Sequence, residues 1–172
     1  MTFQDRILGV FQLDAATFEN IEHDPDAMQQ AVIVVAAAAI LSGIGSSFGG
    51  AELGAILVSI ISAFFGWVVW SVVTYAIGTN VFNGTADIGE MLRVIGFAFA
   101  PQFLAIIPCL GGFIGFFWTL AAGFIAIRQG LDLDNTKTAL TIGAGALAYF
   151  ALMIVVGIVM GTAAGIGSLL GM

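Results

Sequence analysis

The chain has 172 residues, 60% of them hydrophobic and 9% charged, with a net charge of −7 and a mean hydropathy of +1.08. A water-soluble domain of that composition would aggregate, and 17.8 kDa leaves no room for a soluble catalytic domain beside a membrane domain. Four basic residues against 11 acids, with no Lys/Arg cluster, argue against nucleic acid as a partner and against electrostatic recruitment to anionic lipid.

No Lys, Arg, Asp or Glu occurs from Gln29 to Ala51, from Leu53 to Ala86, from Val94 to Ile127, or from Thr138 to the end. A charge at the bilayer centre is costly, and about 20 apolar residues in a helix cross about 30 Å of hydrocarbon. The expected fold is an all-α integral membrane protein with five transmembrane helices and a short N-terminal interfacial helix. The lipid bilayer is its solvent.

Residues 1–24 form a polar N-terminal segment, and residues 25–172 the five-span membrane domain. The start is not that of a cleaved signal peptide, because residues 1–28 carry six acids and lack a basic end followed by an apolar core. Phe3, Ile7, Leu8, Val10 and Phe11 suit an amphipathic helix lying on the inner leaflet, with Asp5 and Arg6 facing water. Glu22, His23, Asp24 and Asp26 cluster oxygen and nitrogen donors before the first span, a conceivable divalent-cation site. Helix capping already accounts for Asp24 and Asp26, so no metal site is assigned.

The first span runs from about Pro25 to Phe48, with Asp24 as N-cap, Pro25 at the first helical position and Asp26 at the positive helix end. The second runs from about Leu53 to Thr79 and stops at the turn signal Asn83-Gly84. The third starts at Asp87, where Asp87 and Glu90 have capping-box spacing, and reaches Ile107. Pro108-Cys109-Leu110-Gly111-Gly112 turns the chain into a fourth span ending at Arg128. One continuous helix over 92–128 would be about 55 Å long, so the third and fourth spans form a tight, short hairpin. The alternative is a hairpin that dips into the bilayer without crossing it. The fifth span begins after Asp134 or Asn135 and runs to about Ala164.

With the N-terminus inside, Arg6, Arg93, Arg128 and Lys137 are all cytoplasmic. Ten of the acids join them, Glu52 alone lies on the other face, and the C-terminus is external. Cys109, the single cysteine, rules out an intrachain disulfide and reads as a small packing residue.

Several motifs match by letters only. Gly45-Ser46-Ser47-Phe48-Gly49 fits a nucleophile elbow, but His23, the single histidine, lies across the membrane from it. Gly143-Ala144-Gly145-Ala146-Leu147-Ala148 fits a dinucleotide fingerprint within a membrane helix, where it means small-residue packing. Asn83-Gly84-Thr85 is a glycosylation sequon on the cytoplasmic side. No catalytic residue, cofactor site or metal site is assigned, and the protein is not expected to be an enzyme.

Two features need a membrane explanation. Small residues recur four apart at Gly157, Gly161 and Gly165, at Ala38, Ser42 and Ser46, and at Gly111 and Gly115, a spacing that lets helices approach closely. They pack the five spans together or, for the fifth-span ladder, make a homo-oligomer contact. Pro101 cannot donate to the Phe97 carbonyl, which opens a polar break within the third span beside Gln102. The Phe97 carbonyl freed by Pro101 and the Gln102 amide line a polar path or bind a small ligand, or Gln102 or a neighbouring hydroxyl simply satisfies the break. Trp67, Trp70 and Trp118 are packing or interface residues.

The stretch from Phe82 to Pro101, with Gly96-Phe97-Ala98-Phe99-Ala100-Pro101 at its end, resembles the central signature of the Yip (Ypt-interacting protein) domain family. Phe97 stands where that family's Gly-Tyr-x-x-x-Pro element has Tyr, so Gly96, Phe97 and Pro101 carry the match. Trp118, Lys137-Thr138-Ala139 and the stretch from Phe18 to Ala31 also look like the pattern of short prokaryotic members. The resemblance implies five membrane helices, a cytoplasmic N-terminus and an external C-terminus. Eukaryotic members bind prenylated Rab-type GTPases. This sequence lacks their long N-terminal region and Asp-Leu-Tyr-Gly-Pro element, so GTPase binding is not carried over.

The resulting expectation is a non-enzymatic, multi-pass protein, in the cell membrane if prokaryotic. It would organise membrane or an unidentified protein partner on its cytoplasmic side. The rival expectation is a channel or transporter subunit for small solutes, using the break in the third span.

Overall fold

The computed structural model describes residues 1–46, 53–107 and 110–169, with side-chain surroundings left aside at 46, 53, 55, 56 and 160–169. Its described residues form helices α1 (Phe3–Phe11), α2 (Ala15–His23), α3 (Ala27–Ser46), α4 (Leu53–Phe82), α5 (Ile88–Ala98), α6 (Leu110–Gly130) and α7 (Asn135–Leu169), with a 3₁₀ segment at Ala100–Ile106 between α5 and α6. Five of these stretches are long and apolar enough to cross a membrane: Ala27–Gly45, Leu57–Phe82, Ile88–Ile106, Leu110–Gly130 and Asn135–Val159. The five expected spans are therefore present. Ser47 and Gly49 of the elbow-like motif, Glu52 and Cys109 lie outside the described residues.

Local chemistry sets the helix ends. Asp87 accepts from the Glu90 N–H (2.8 Å) and Glu90 from the Asp87 N–H (2.6 Å), the capping box its spacing implied. Thr2 and Asp5 make a second box at α1, and Asp14 caps α2 through the Ala16 and Thr17 N–H groups. Leu13 and Asp132 take left-handed backbone at φ 57 and 52. There the chain closes back, Asp14 N–H onto Gly9 O (2.9 Å) and Leu133 N–H onto Arg128 O (3.0 Å), which satisfies carbonyls at the helix ends. Along α4 the hydroxyls of Ser71, Thr74 and Thr79 donate to the carbonyls one turn back, each at 2.8 Å. The helix thus hides its own polar groups from lipid.

The core lies where α3, α4, α5 and α6 meet, around Val34, Val35, Trp67, Val94, Phe97, Ala122 and Ile127. The outer faces of α4, α6 and α7 show Ile61, Phe65, Phe113, Phe117, Leu147 and Phe150 to the surroundings, as lipid-facing surfaces should. α7 stands apart from the rest. It leans mainly on α4, with Gly145 opposite Thr74 and Trp70, and only 6% of its apolar window is buried, against 50% for the third span.

The expected short N-terminal helix is present as α1, and a second short helix, α2, follows it; both dock onto the bundle. Val10, Phe18 and Ile21 are fully buried, Phe3 meets Phe97 edge-on at 6.2 Å, and Phe11 meets Trp118 at 6.1 Å. The apolar face meant for the leaflet is mostly spent on protein, with Leu8 left exposed. Arg6, expected to face water, is 1% exposed, because its guanidinium is what ties α1 to α2 and α3.

Candidate functional site

Two places concentrate the chemistry: the break in the third span and the polar end of the bundle. At the break, α5 stops at Ala98 and the chain tightens into the 3₁₀ segment with Pro101 in its first turn. Phe99 N–H then reaches Gly96 O (3.2 Å), Gln102 N–H reaches Phe99 O (2.9 Å) and Ile107 N–H reaches Leu104 O (2.9 Å). Seven residues are a long run for this geometry, whose hydrogen bonds are poorer than those of an α-helix.

Glycines allow it. A Cβ on Gly45 of α3 would lie 1.9 Å from the Ala105 carbonyl oxygen, one on Gly111 of α6 1.9 Å from that of Leu104, and one on Gly115 2.8 Å from that of Pro101. Helices on both sides therefore press backbone against the 3₁₀ backbone, as close small-residue packing does in lipid. The Gly111–Gly115 pair is thus used inside the chain.

Gly96, Phe97 and Pro101 fall together here, all buried. Gly96 is the crossing point: a Cβ there would meet Ala31 at 2.8 Å and the Trp67 indole nitrogen at 3.2 Å, while that indole donates to Leu92 O (3.0 Å). Gln102, half-buried, borders a cavity of about 160 Å³ together with Ser42 and Ser59, its remaining wall being Val35, Ala38, Ala39, Ala63 and Phe99. Gln102 and Phe97 do not share that cavity. Phe97 packs toward Phe3 instead.

The fifth-span residues behave differently. Gly157 is exposed, and among the described residues no heavy atom comes within 4 Å of a Cβ placed on it. The surroundings of Gly161 and Gly165 are outside the described side chains.

At the polar end, α1, α2, the start of α5 and the α6–α7 turn converge. Arg6 donates to Asn20 Oδ1 through Nε (3.2 Å) and Nη2 (3.0 Å), to Gln30 Oε1 (2.9 Å), and to the Asp24 carboxylate. That pairing, first through its hydrogen bond, holds the Asp24 carboxyl below the usual range. Arg93, 9% exposed, donates through Nε (3.0 Å) and Nη2 to the backbone carbonyl of Glu22. Gln129 donates to Glu19 (3.1 Å), and the Thr85 hydroxyl to Asp132 (2.6 Å). Loops distant in sequence are knitted into one platform.

Glu22 is the odd member. Its residue is 4% exposed and, among the described residues, its Oε2 has no hydrogen-bond partner. Burial pushes its carboxyl up to about 7, and the charges of Asp132, Glu19 and Glu90 add to the shift against a smaller opposing effect of His23. Of the donors expected before the first span, Asp24 is engaged by Arg6 and the Asp26 N–H (3.0 Å), whereas Glu22 and His23 come together with Glu19. Sequence reasoning missed Glu19 and the arginine anchors. The spacing of Glu19, Glu22 and His23, one helical turn apart, was a visible sign once α2 is known to be a helix.

A model of the Yip1 domain matches residues 8–165. No curated protein and no solved structure matches the chain. The matched stretch takes in the end of α1, all of α2, the polar platform apart from Arg6, and the Gly96–Pro101 break, and the chain belongs to the Yip1 domain family.

Proposed function

We propose that this multi-pass Yip1 family protein is not an enzyme but an organiser of membrane or of partner proteins, acting through helix packing and its polar end. One observation carries the reading. Buried Arg6 and Arg93 are spent on holding α1 and α2 against the bundle, which builds a fixed, acid-rich docking surface rather than a reaction centre. Arg6, Arg93, Arg128 and Lys137 belong to that end, so the positive-inside rule puts it in the cytoplasm, with the N-terminus inside and the C-terminus outside. If the organism is prokaryotic, the membrane is the cell membrane. Partners are a protein on the cytoplasmic face and a second copy of the chain through the sparsely packed α7, where Gly157 is open.

The second reading, a path for small solutes, draws on the cavity beside Gln102 with Ser42 and Ser59. Against ion- or proton-coupled transport, the sequence places no Asp, Glu, Lys, Arg or His from Val94 to Ile107.

Solute and ion flux across proteoliposomes, compared with empty vesicles and the Gln102→Leu variant, separates the two. Vesicles that stay tight across a panel of solutes support the organiser. Flux that disappears in Gln102→Leu would transfer the function to the break. Labelling of an N-terminal tag from outside intact cells would reverse the orientation.

A further inference from the structure

On α2, Glu19, Glu22 and His23 stand at i, i+3 and i+4, on one face of the helix. One ligand atom from each lies within 4.8 Å of the others. Glu22 Oε2 is buried and has no donor. The nearest strong cation offers no relief, since Arg93 binds the backbone carbonyl of Glu22 and leaves Oε2 unmet. Arg6 is committed to Asn20, Gln30 and Asp24. Glu90 and Asp132 add negative charge around the same carboxyl. A buried carboxylate in acidic company is costly unless a cation meets it.

His23 supplies the third kind of ligand in suitable form. Its Nδ1 lies 3.0 Å from the Glu19 backbone carbonyl, which can only accept. Nδ1 therefore carries a proton, and in the neutral ring the lone pair is on Nε2, the arrangement of a metal-binding imidazole held by an outer hydrogen bond. Two carboxylates and an imidazole suit a first-row divalent transition cation better than Mg²⁺ or Ca²⁺, which prefer oxygen throughout.

We propose that Glu19, Glu22 and His23 bind one divalent transition cation of the Zn²⁺ or Mn²⁺ kind at the polar end of the bundle. The ion neutralises the buried carboxylate and fastens α2 in place. This site is independent of whether the protein organises partners or passes solutes.

The test uses tag-free full-length protein in detergent, stripped with EDTA and titrated with Zn²⁺ by calorimetry, with thermal unfolding followed in parallel. Saturable uptake of one Zn²⁺ per chain with a rise in Tm is expected. Glu22→Gln and His23→Gln should each weaken binding at least tenfold, and Asp26→Asn, an acid outside the cluster, should leave it unchanged. Glu22→Gln keeps the backbone carbonyl that Arg93 uses, so its fold should persist, as its elution and melting would show. Should it fail to fold, Glu19→Gln reads the same site from an exposed position. No saturable uptake by the unaltered chain, full affinity without the Glu22 or Glu19 charge, or an equal loss in Asp26→Asn would each overturn the proposal.

Discussion

The guanidinium of Arg93, midway along α5, donates to the backbone carbonyl of Glu22, near the end of α2 and 71 residues earlier in the chain. Glu22 is thus held by its main chain, and its carboxyl is left for other business. The contact joins the edge-on ring contacts of Phe3 and Phe11 and the Arg6–Gln30 bond in coupling the N-terminal helices to the membrane bundle.

Removing it should be expensive. Arg93→Met is expected to cost about 1.5–3 kcal/mol, the range for a hydrogen bond that involves a charged group. Arg93→Lys should recover little, because an ammonium cannot reproduce a two-pronged guanidinium contact. Thermal unfolding in a fixed detergent reads both, and a variant as stable as the unaltered chain would show that α2 is held by its apolar contacts alone.

The clamp on the 3₁₀ segment makes a position-specific prediction. Gly111→Ala should destabilise by about 1–3 kcal/mol or more, since its methyl would collide with the Leu104 carbonyl oxygen. Gly112→Ala, one residue on, meets nothing within 4 Å and should be neutral or slightly stabilising. Equal melting temperatures for the two variants would contradict backbone-to-backbone packing here.

Glu22 gives the fold a pH dependence in metal-free buffer. Its folded pKa, about 7, lies above the ordinary 4.5, so the folded state favours the protonated carboxyl. The associated stability is full below the unfolded value and is lost as pH rises through the folded one. The groups acting on it are Asp132, Glu19 and Glu90, all raising the pKa, and His23, lowering it. Glu22→Gln cannot ionise, so with EDTA present it should melt a few degrees above the unaltered chain at about pH 8 and no higher than it at about pH 4. A constant difference across that range would mean that Glu22 titrates normally.

For the second-copy contact, Gly157→Leu should leave the stability of the single chain unchanged, because none of the described side chains lies against that position. It should cut the cross-linked dimer recovered from vesicles several-fold. Undiminished cross-linking would remove α7 as the contact.

Legibility from sequence followed the range of the forces. The spans were readable because burying charge in lipid is forbidden residue by residue, and the Asp87–Glu90 box because both partners lie within one turn. Pro101 announced a break, but the tightening of Ala100–Ile106 depends on glycines of α3 and α6 that only the packed bundle brings to it. Arg6 looked like a water-facing residue of an amphipathic helix. Its burial rests on Asn20, Gln30 and Asp24, 14 to 24 residues away, which no local pattern discloses. α2 was not foreseen as a separate helix, since nine residues of mixed polarity have little periodicity to read. Glu22 and His23 stood out as donors, but the place of Glu19 beside them went unread with it.

The close seating of the 3₁₀ segment also constrains how the protein is made. Residues 100–106 leave the ribosome after Gly45 but before Gly111 and Gly115, one of the two sides that shield their backbone from hydrocarbon. Alone in lipid, a segment with weak internal hydrogen bonds would expose peptide groups that no water can satisfy. The third span is therefore a poor candidate for independent insertion. It should wait at the insertion machinery until the fourth has been synthesised, and the two should enter the bilayer as one unit.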